Sequence, residues 1–262
     1  MGKAPVVIIT GASRGIGGWV ARCLGKVGAS VTILARSKED LSAVARDVEA
    51  KGGRALTVVG DIRYPEIHEV AVEKTVSDFG QINAIVNNAG IAGPLAPVSA
   101  VDPEQWMSNI QTNLLGPFYM ARSAIPELRK TEGRIVNVGS GASTLPIPSA
   151  SAYCASKAAL NHFTAVLAQE EPLLTVVAVR PGMVDTDMQA FIRRQGHGVM
   201  PPEQVSFYQT MKDEGQLEPP LVPARSIAWL SLHAPREWSG DFLDYDNPQI
   251  ALPALELLGE SA

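Results

Sequence analysis

The chain has 262 residues, 46% of them hydrophobic and 19% charged, and a formal net charge of −5. That apolar content suffices for a large core and excludes extensive disorder, and an acidic balance without a basic stripe argues against nucleic-acid binding. Only two cysteines (Cys23, Cys154) and four scattered histidines occur, so neither a disulfide framework nor a metal site is expected. No apolar run is long enough to span a membrane, and no charged leader precedes a long apolar segment; a soluble, cytoplasmic chain is expected.

In chain order, Val6–Thr10 is a short apolar run rich in β-branched residues, as in a strand buried on both faces. The glycine-rich turn Thr10-Gly11-Ala12-Ser13-Arg14-Gly15-Ile16-Gly17 follows, and helical periodicity runs from Ile16 to Val27. Strand, glycine turn and helix together make a phosphate cradle, because the helix N-terminus presents unpaired N–H groups and a positive dipole end. The spacing is Gly-x-x-x-Gly-x-Gly, which is neither the Gly-x-Gly-x-x-Gly fingerprint nor a P-loop.

Further strands are expected at Val31–Ala35, Ala55–Gly60, Ala84–Asn87, Arg134–Val138, Thr175–Val179 and Asp241–Tyr245. Helices are expected at Lys38–Ala50, Pro65–Phe79, Pro103–Lys130, Ser151–Glu170 and Pro223–His233. Alternation of this kind predicts an α/β fold: one doubly wound, Rossmann-type domain over residues 1–262, with about seven mostly or wholly parallel strands and helices on both faces. Ligands of such a sheet collect at the carboxyl ends of its strands. The stretch 185–222 departs from the pattern, with Pro201-Pro202, Pro219-Pro220, Gly196 and Gly198, and is read as a substrate lid or binding loop.

Tyr153 and Lys157 stand four residues apart in one predicted helix and so share a face. A nearby ammonium favours a phenolate, which suits the pair to proton exchange with a carbonyl or alcohol oxygen. Ser140, at the end of a predicted strand, is placed to hydrogen-bond the same oxygen.

Taken in order, these residues resemble the short-chain dehydrogenase/reductase family over nearly the whole chain. Thr10 to Gly17, Asn87-Asn88-Ala89-Gly90, Asn113, Ser140, Tyr153, Lys157, Pro181-Gly182 and Thr186 match its motifs. Shorter segments, Asp185–Gln189 and Lys157–Phe163 with Phe242–Pro248, resemble the sepiapterin reductase and fungal benzil reductase branch.

The resemblance implies hydride transfer between a nicotinamide and a carbonyl, with Tyr153 as acid, Lys157 lowering its pKa and binding ribose, and Ser140 orienting the substrate. Asn113 holds a water next to Lys157, or is a helix asparagine bonded to backbone. The dinucleotide contacts implied are Gly11, Ser13, Arg14, Gly15, Ile16, Gly17, Arg36, Ser37, Asp61, Ile62, Asn88, Ala89, Gly90, Tyr153, Lys157, Pro181, Gly182, Val184 and Thr186.

Where relatives that prefer NAD carry an acid, Ala35 is followed by Arg36, and an arginine grips a 2′-phosphate; with Arg14 nearby, NADP(H) is expected. Asp61 either accepts from the adenine amine or caps the helix after it. Substrate contacts are expected from Ser140, Leu145, Tyr153, Met183, Met188 and Asp244, the last either anchoring a pterin-like group or capping the C-terminal helix. An apolar pocket suits an aromatic ketone or α-diketone. The alternatives are a pterin reductase and a non-catalytic dinucleotide-binding regulator. The resemblance also implies a homodimer or homotetramer.

Overall fold

A computed structural model describes residues 3–259. Seven strands form one wholly parallel sheet: β1 (Val6–Thr10), β2 (Ser30–Ala35), β3 (Arg54–Val59), β4 (Ala84–Asn87), β5 (Arg134–Val138), β6 (Thr175–Arg180) and β7 (Phe242–Asp244), in the order β3-β2-β1-β4-β5-β6-β7. The order reverses between β1 and β4, which opens a crevice at their carboxyl ends.

The helices are α1 (Gly15–Lys26), α2 (Lys38–Ala50), α3 (Pro65–Phe79), α4 (Pro103–Ile110), α5 (Gly116–Thr131), α6 (Ser151–Glu170), α7 (Asp187–Gly196), α8 (Pro202–Asp213), α9 (Leu221–His233) and α10 (Pro248–Leu258). The period-2 alternation of strand side chains divides the core in two. Val7, Ile9, Val31 and Ile33 face α1, α2 and α9 through Val20, Leu24, Val44 and Ile227. Ile8, Leu34, Ile85 and Ile135 face α3, α5 and α6 through Ala71, Met120, Leu128 and Leu167. Each such buried side chain stabilises the fold by roughly 1.5–3 kcal/mol.

The helix expected over Pro103–Lys130 is interrupted. Gln111–Leu115 form a π-helical turn between α4 and α5. Pro117 lacks the N–H that would pair with the carbonyl of Asn113, four residues back, so the α-helical ladder cannot run through. The stretch 185–222 contains two helices, α7 and α8, and is tied back to the residue before it by a parallel bridge between Val184 and Glu218.

Candidate active site

The crevice is a cleft of about 950 Å³ running from the end of β2 to the start of α6. At one end lie Ala35, Arg36, Ser37, Asp40 and Asp61; in the middle Gly11, Ser13, Arg14, Gly15 and Ile16; at the other end Asn88, Ala89, Gly90, Val138, Tyr153, Lys157, Pro181 and Thr186. Ile62 and Met188 also line it.

The glycine turn is shaped from within. Gly11 has φ +66°, and a Cβ there would lie 2.7 Å from Ala89 Cα, so only glycine lets the β1 and β4 loops approach so closely. At Gly17, inside α1, a Cβ would lie 2.6 Å from Gly11 O and collide with the Asn88 amide. That amide donates to Thr10 O at 3.0 Å and Gly11 O at 3.1 Å, while the Thr10 hydroxyl accepts from Asn88 N and Ala89 N.

The first turn of α1 has neither a side-chain cap nor an acidic residue. That turn borders the cleft through Gly15 and Ile16, so a pyrophosphate placed there would find uncapped N–H groups. The open cradle and the bare helix terminus fit a dinucleotide.

Arg36 lines the cleft near Asp61 and adds to the positive field on that carboxyl. Arg14 also lines the cleft. Its Nε is 3.1 Å from Asp187 Oδ2, so it spans the cleft from the glycine turn to α7, and both side chains are about 70% exposed.

Asp61 is not the cap of α3; that position is Tyr64. Instead Asp61 grips Arg63 through Nε and Nη2 and accepts from Arg63 N. Burial opposes its charge, but the bonds and charge of Arg63 hold its carboxyl below the usual range. Behind this turn the fully buried His68 ring bonds Ile62 O at 2.8 Å, and burial pushes its pKa down, keeping it neutral.

At the opposite end the Ser140 hydroxyl accepts from Ala142 N at 3.2 Å and lies beside the Tyr153 phenol. Burial pushes the Tyr153 pKa up, and the neighbouring Ser140 hydroxyl only partly opposes it. The ammonium that would favour the phenolate is itself in a low-dielectric setting: Lys157 Nζ donates to Val138 O at 2.7 Å, and burial lowers its pKa to about 8. It stands 5.9 Å from the centre of the Tyr153 ring. The phenol is thus held protonated, the form a proton donor needs.

Asn113 is fully buried behind this group, its Oδ1 accepting from Ile91 N at 2.9 Å and its Nδ2 donating to Ile91 O at 2.9 Å.

Other predicted residues support the cleft without lining it. Gly182 packs against the Tyr245 ring. Val184 is buried, and Met183 O accepts from Glu218 N at 2.8 Å. Leu145 is 61% exposed, over Gly141. Asp244 forms a two-pronged ion pair with Arg180, through Nε and, at 2.6 Å, Nη2; the cap of α10 is Asn247, not Asp244.

Sequence reasoning did not single out Arg63, Trp19, Gln105, Ser108 or Thr112, all of which line the cleft. Arg63, two residues after a strand-end aspartate, carried a readable signal; the others sit on helix faces whose orientation only packing fixes. Tyr208, on α8, is 6% exposed, and burial raises its pKa, with smaller contributions from Tyr153 and Cys154.

A parallel sheet with a dinucleotide cradle at its switch point and a Ser–Tyr–Lys cluster beside it defines a nucleotide-dependent oxidoreductase architecture. A sequence model of short chain dehydrogenases matches residues 5–196, and the chain belongs to that family. An uncharacterized oxidoreductase of Saccharomyces cerevisiae, YIR035C, is 37% identical over 96% of this chain and 98% of its own. Its crystal structure superposes with a TM-score of 0.90, covering 95% of this chain and 98% of that one. A second Saccharomyces cerevisiae protein, a benzil reductase forming (S)-benzoin, is 34% identical over 95% of this chain and 98% of its own. An NAD+-bound xylitol dehydrogenase structure is 25% identical, with a TM-score of 0.83, covering 92% of this chain and 97% of that one.

Proposed function

We propose that the protein is an NADPH-dependent carbonyl reductase acting on aromatic or cyclic ketones and α-diketones. The observation that carries this reading is the convergence of the Tyr153 phenol, the Ser140 hydroxyl and a buried Lys157 at the end of a dinucleotide-shaped cleft. When bound, the nicotinamide supplies a hydride to the carbonyl carbon. Ser140 holds the carbonyl oxygen and stabilises its growing charge. Tyr153 donates its proton to that oxygen, and Lys157 offsets the negative charge left on the phenol. Asn113, in the helix break, ties the Ile91 loop to Ser156, the residue before Lys157.

Preference for the 2′-phosphate rests on Arg36 at the end of β2, where a carboxylate would repel it. The apolar and aromatic walls supplied by Met188 and Phe191 favour a ketone over a sugar, and the benzil reductase relative points the same way. The same reading makes residues 1–262 one domain with 185–222 as its lid, in a cytoplasmic homodimer or homotetramer. Among the described residues no helix is long and apolar enough to cross a membrane.

A spectrophotometric panel of ketones, diketones and pterins, run with NADPH and NADH, tests the proposal. Oxidation of NADPH by benzil-like diketones is the expected result. Turnover confined to pterins, or NADPH binding with no turnover across the panel, would displace it.

A further inference from the structure

A fully buried amide behind the cleft is not used in the mechanism above. Asn109, in the last turn of α4, is 0% exposed. Its Nδ2 donates to Ile91 O at 3.1 Å and to Gly93 O at 2.6 Å. Its Oδ1 accepts from Asn113 Nδ2 and from Ser156 Oγ, both at 2.9 Å. Two donors and two lone pairs are the full capacity of a carboxamide. The orientation of this group is therefore fixed, since a flip would set its oxygen against two carbonyl oxygens and its N–H groups against the Asn113 amide, breaking three of the four bonds; only the Ser156 hydroxyl can accept as well as donate.

The four partners come from three segments that meet at the reacting end of the cleft. Ile91 and Gly93 belong to the loop after β4 and line the cleft wall. Asn113 sits in the π-helical turn. Ser156 precedes Lys157 on α6, and its hydroxyl also reaches Tyr153 O at 2.9 Å. Asn113 and Lys157 flank one glycine: a Cβ on Gly90 would lie 3.3 Å from Asn113 Oδ1 and 3.7 Å from Lys157 Nζ. A leucine would fill the Asn109 site with no amide to desolvate, so space-filling alone does not call for a carboxamide there.

We propose that Asn109 is a positioning residue for the reaction, locking Asn113 and the Ile91–Gly93 wall to the helix that carries Tyr153 and Lys157. It acts only through these neighbours and touches no reacting atom. Its effect falls on the reacting end of the cleft, because none of its bonds reaches the glycine turn or the end of β2.

This inference rests on the reductase reading, and the experiment separates the two. Asn109→Leu and the isosteric Asn109→Asp are compared with wild type for kcat, KM of a diketone, NADPH Kd, and the emission of bound NADPH. A fall in kcat of at least tenfold in both, with NADPH Kd held within threefold, is expected. Wild-type kcat in either folded variant overturns the inference, as does a loss of kcat matched by an equal loss of NADPH affinity. If Asn109→Leu does not fold, Asn109→Asp decides, since it keeps the shape and the acceptor and loses the donors. If wild type binds NADPH but reduces nothing in the panel, the reductase reading fails on its own. Bound-NADPH emission then still decides: a changed emission maximum at unchanged Kd supports the positioning role, and an unchanged one overturns it.

Discussion

The glycine turn in the middle of the cleft and the reacting end beside it are built from different materials. At the glycine turn the chain offers main-chain groups: the bare N–H groups of α1, and loops drawn together by Gly11, Gly17 and the Asn88 amide. At the reacting end it offers side chains, and several of these are held by specific partners: Lys157 by Val138 O, Ser140 by Ala142 N and Arg180 by Asp244. A site made of backbone has its geometry fixed by where side chains are missing. A site made of side chains has its geometry fixed by what the neighbours of each side chain do. Substitutions at the first should therefore act through shape and affinity, and those at the second through proton transfer and substrate choice.

The largest effect expected is at Tyr153. Tyr153→Phe keeps the ring and removes the proton, and should lower kcat by about 10²- to 10⁴-fold. Fluorescence titration should give unchanged NADPH affinity; turnover near wild type would dissolve the contrast between the two regions. At the other end, Arg36→Asp removes a charge-assisted contact of roughly 1.5–3 kcal/mol. The NADPH/NADH ratio of kcat/KM should drop by about ten- to a hundredfold, and an unchanged ratio would move cofactor choice away from β2.

Gly17→Ala tests the backbone cradle directly. Its methyl would be driven against Gly11 O and Asn88, and overpacking of this kind costs about 1–3 kcal/mol. Thermal unfolding and dinucleotide Kd should worsen together, with kcat at saturation far less affected.

A pH profile probes the side-chain end in the empty enzyme. Burial lowers Lys157 to about 8, so its positive charge is present below that pH and lost as pH rises through it. The kcat/KM for NADPH, which reports the free enzyme, should fall on the alkaline side of about pH 8, while Tyr153 stays protonated because burial raises its pKa. A flat profile to pH 10 would mean that the Lys157 charge is not needed.

The smallest effect is expected at Asp244. It and Arg180 are 43% and 41% exposed, and exposed ion pairs contribute about 0–1 kcal/mol. Asp244→Ala should change diketone KM by less than about threefold; selective loss of sepiapterin turnover would instead favour the pterin reading.

Strand positions were legible because a strand buried on both faces carries a continuous apolar run, as Val6–Ile9 and Val176–Val179 do. The break in the helix over Pro103–Lys130 was harder to see, since it depends on the ladder failing at one carbonyl, where Pro117 supplies no N–H. Asn109 was invisible, because a polar residue at helical spacing reads as a solvated face until packing buries it. Arg14 was legible as a cation in the glycine turn, but its pairing with Asp187 joins residues far apart in the chain.

By itself, the order of amino acids determined the alternating elements, the family and the identity of the Ser140, Tyr153 and Lys157 cluster. These depend on local periodicity and on residue chemistry, both of which act over a few neighbours. Only the folded molecule decided which way the phenol and ammonium titrate, what Asp61, Arg14 and Asp244 bind, and which amide lies beneath the cleft. Those outcomes follow from desolvation and from partners distant in sequence, which exist only once the sheet and its helices have closed over them.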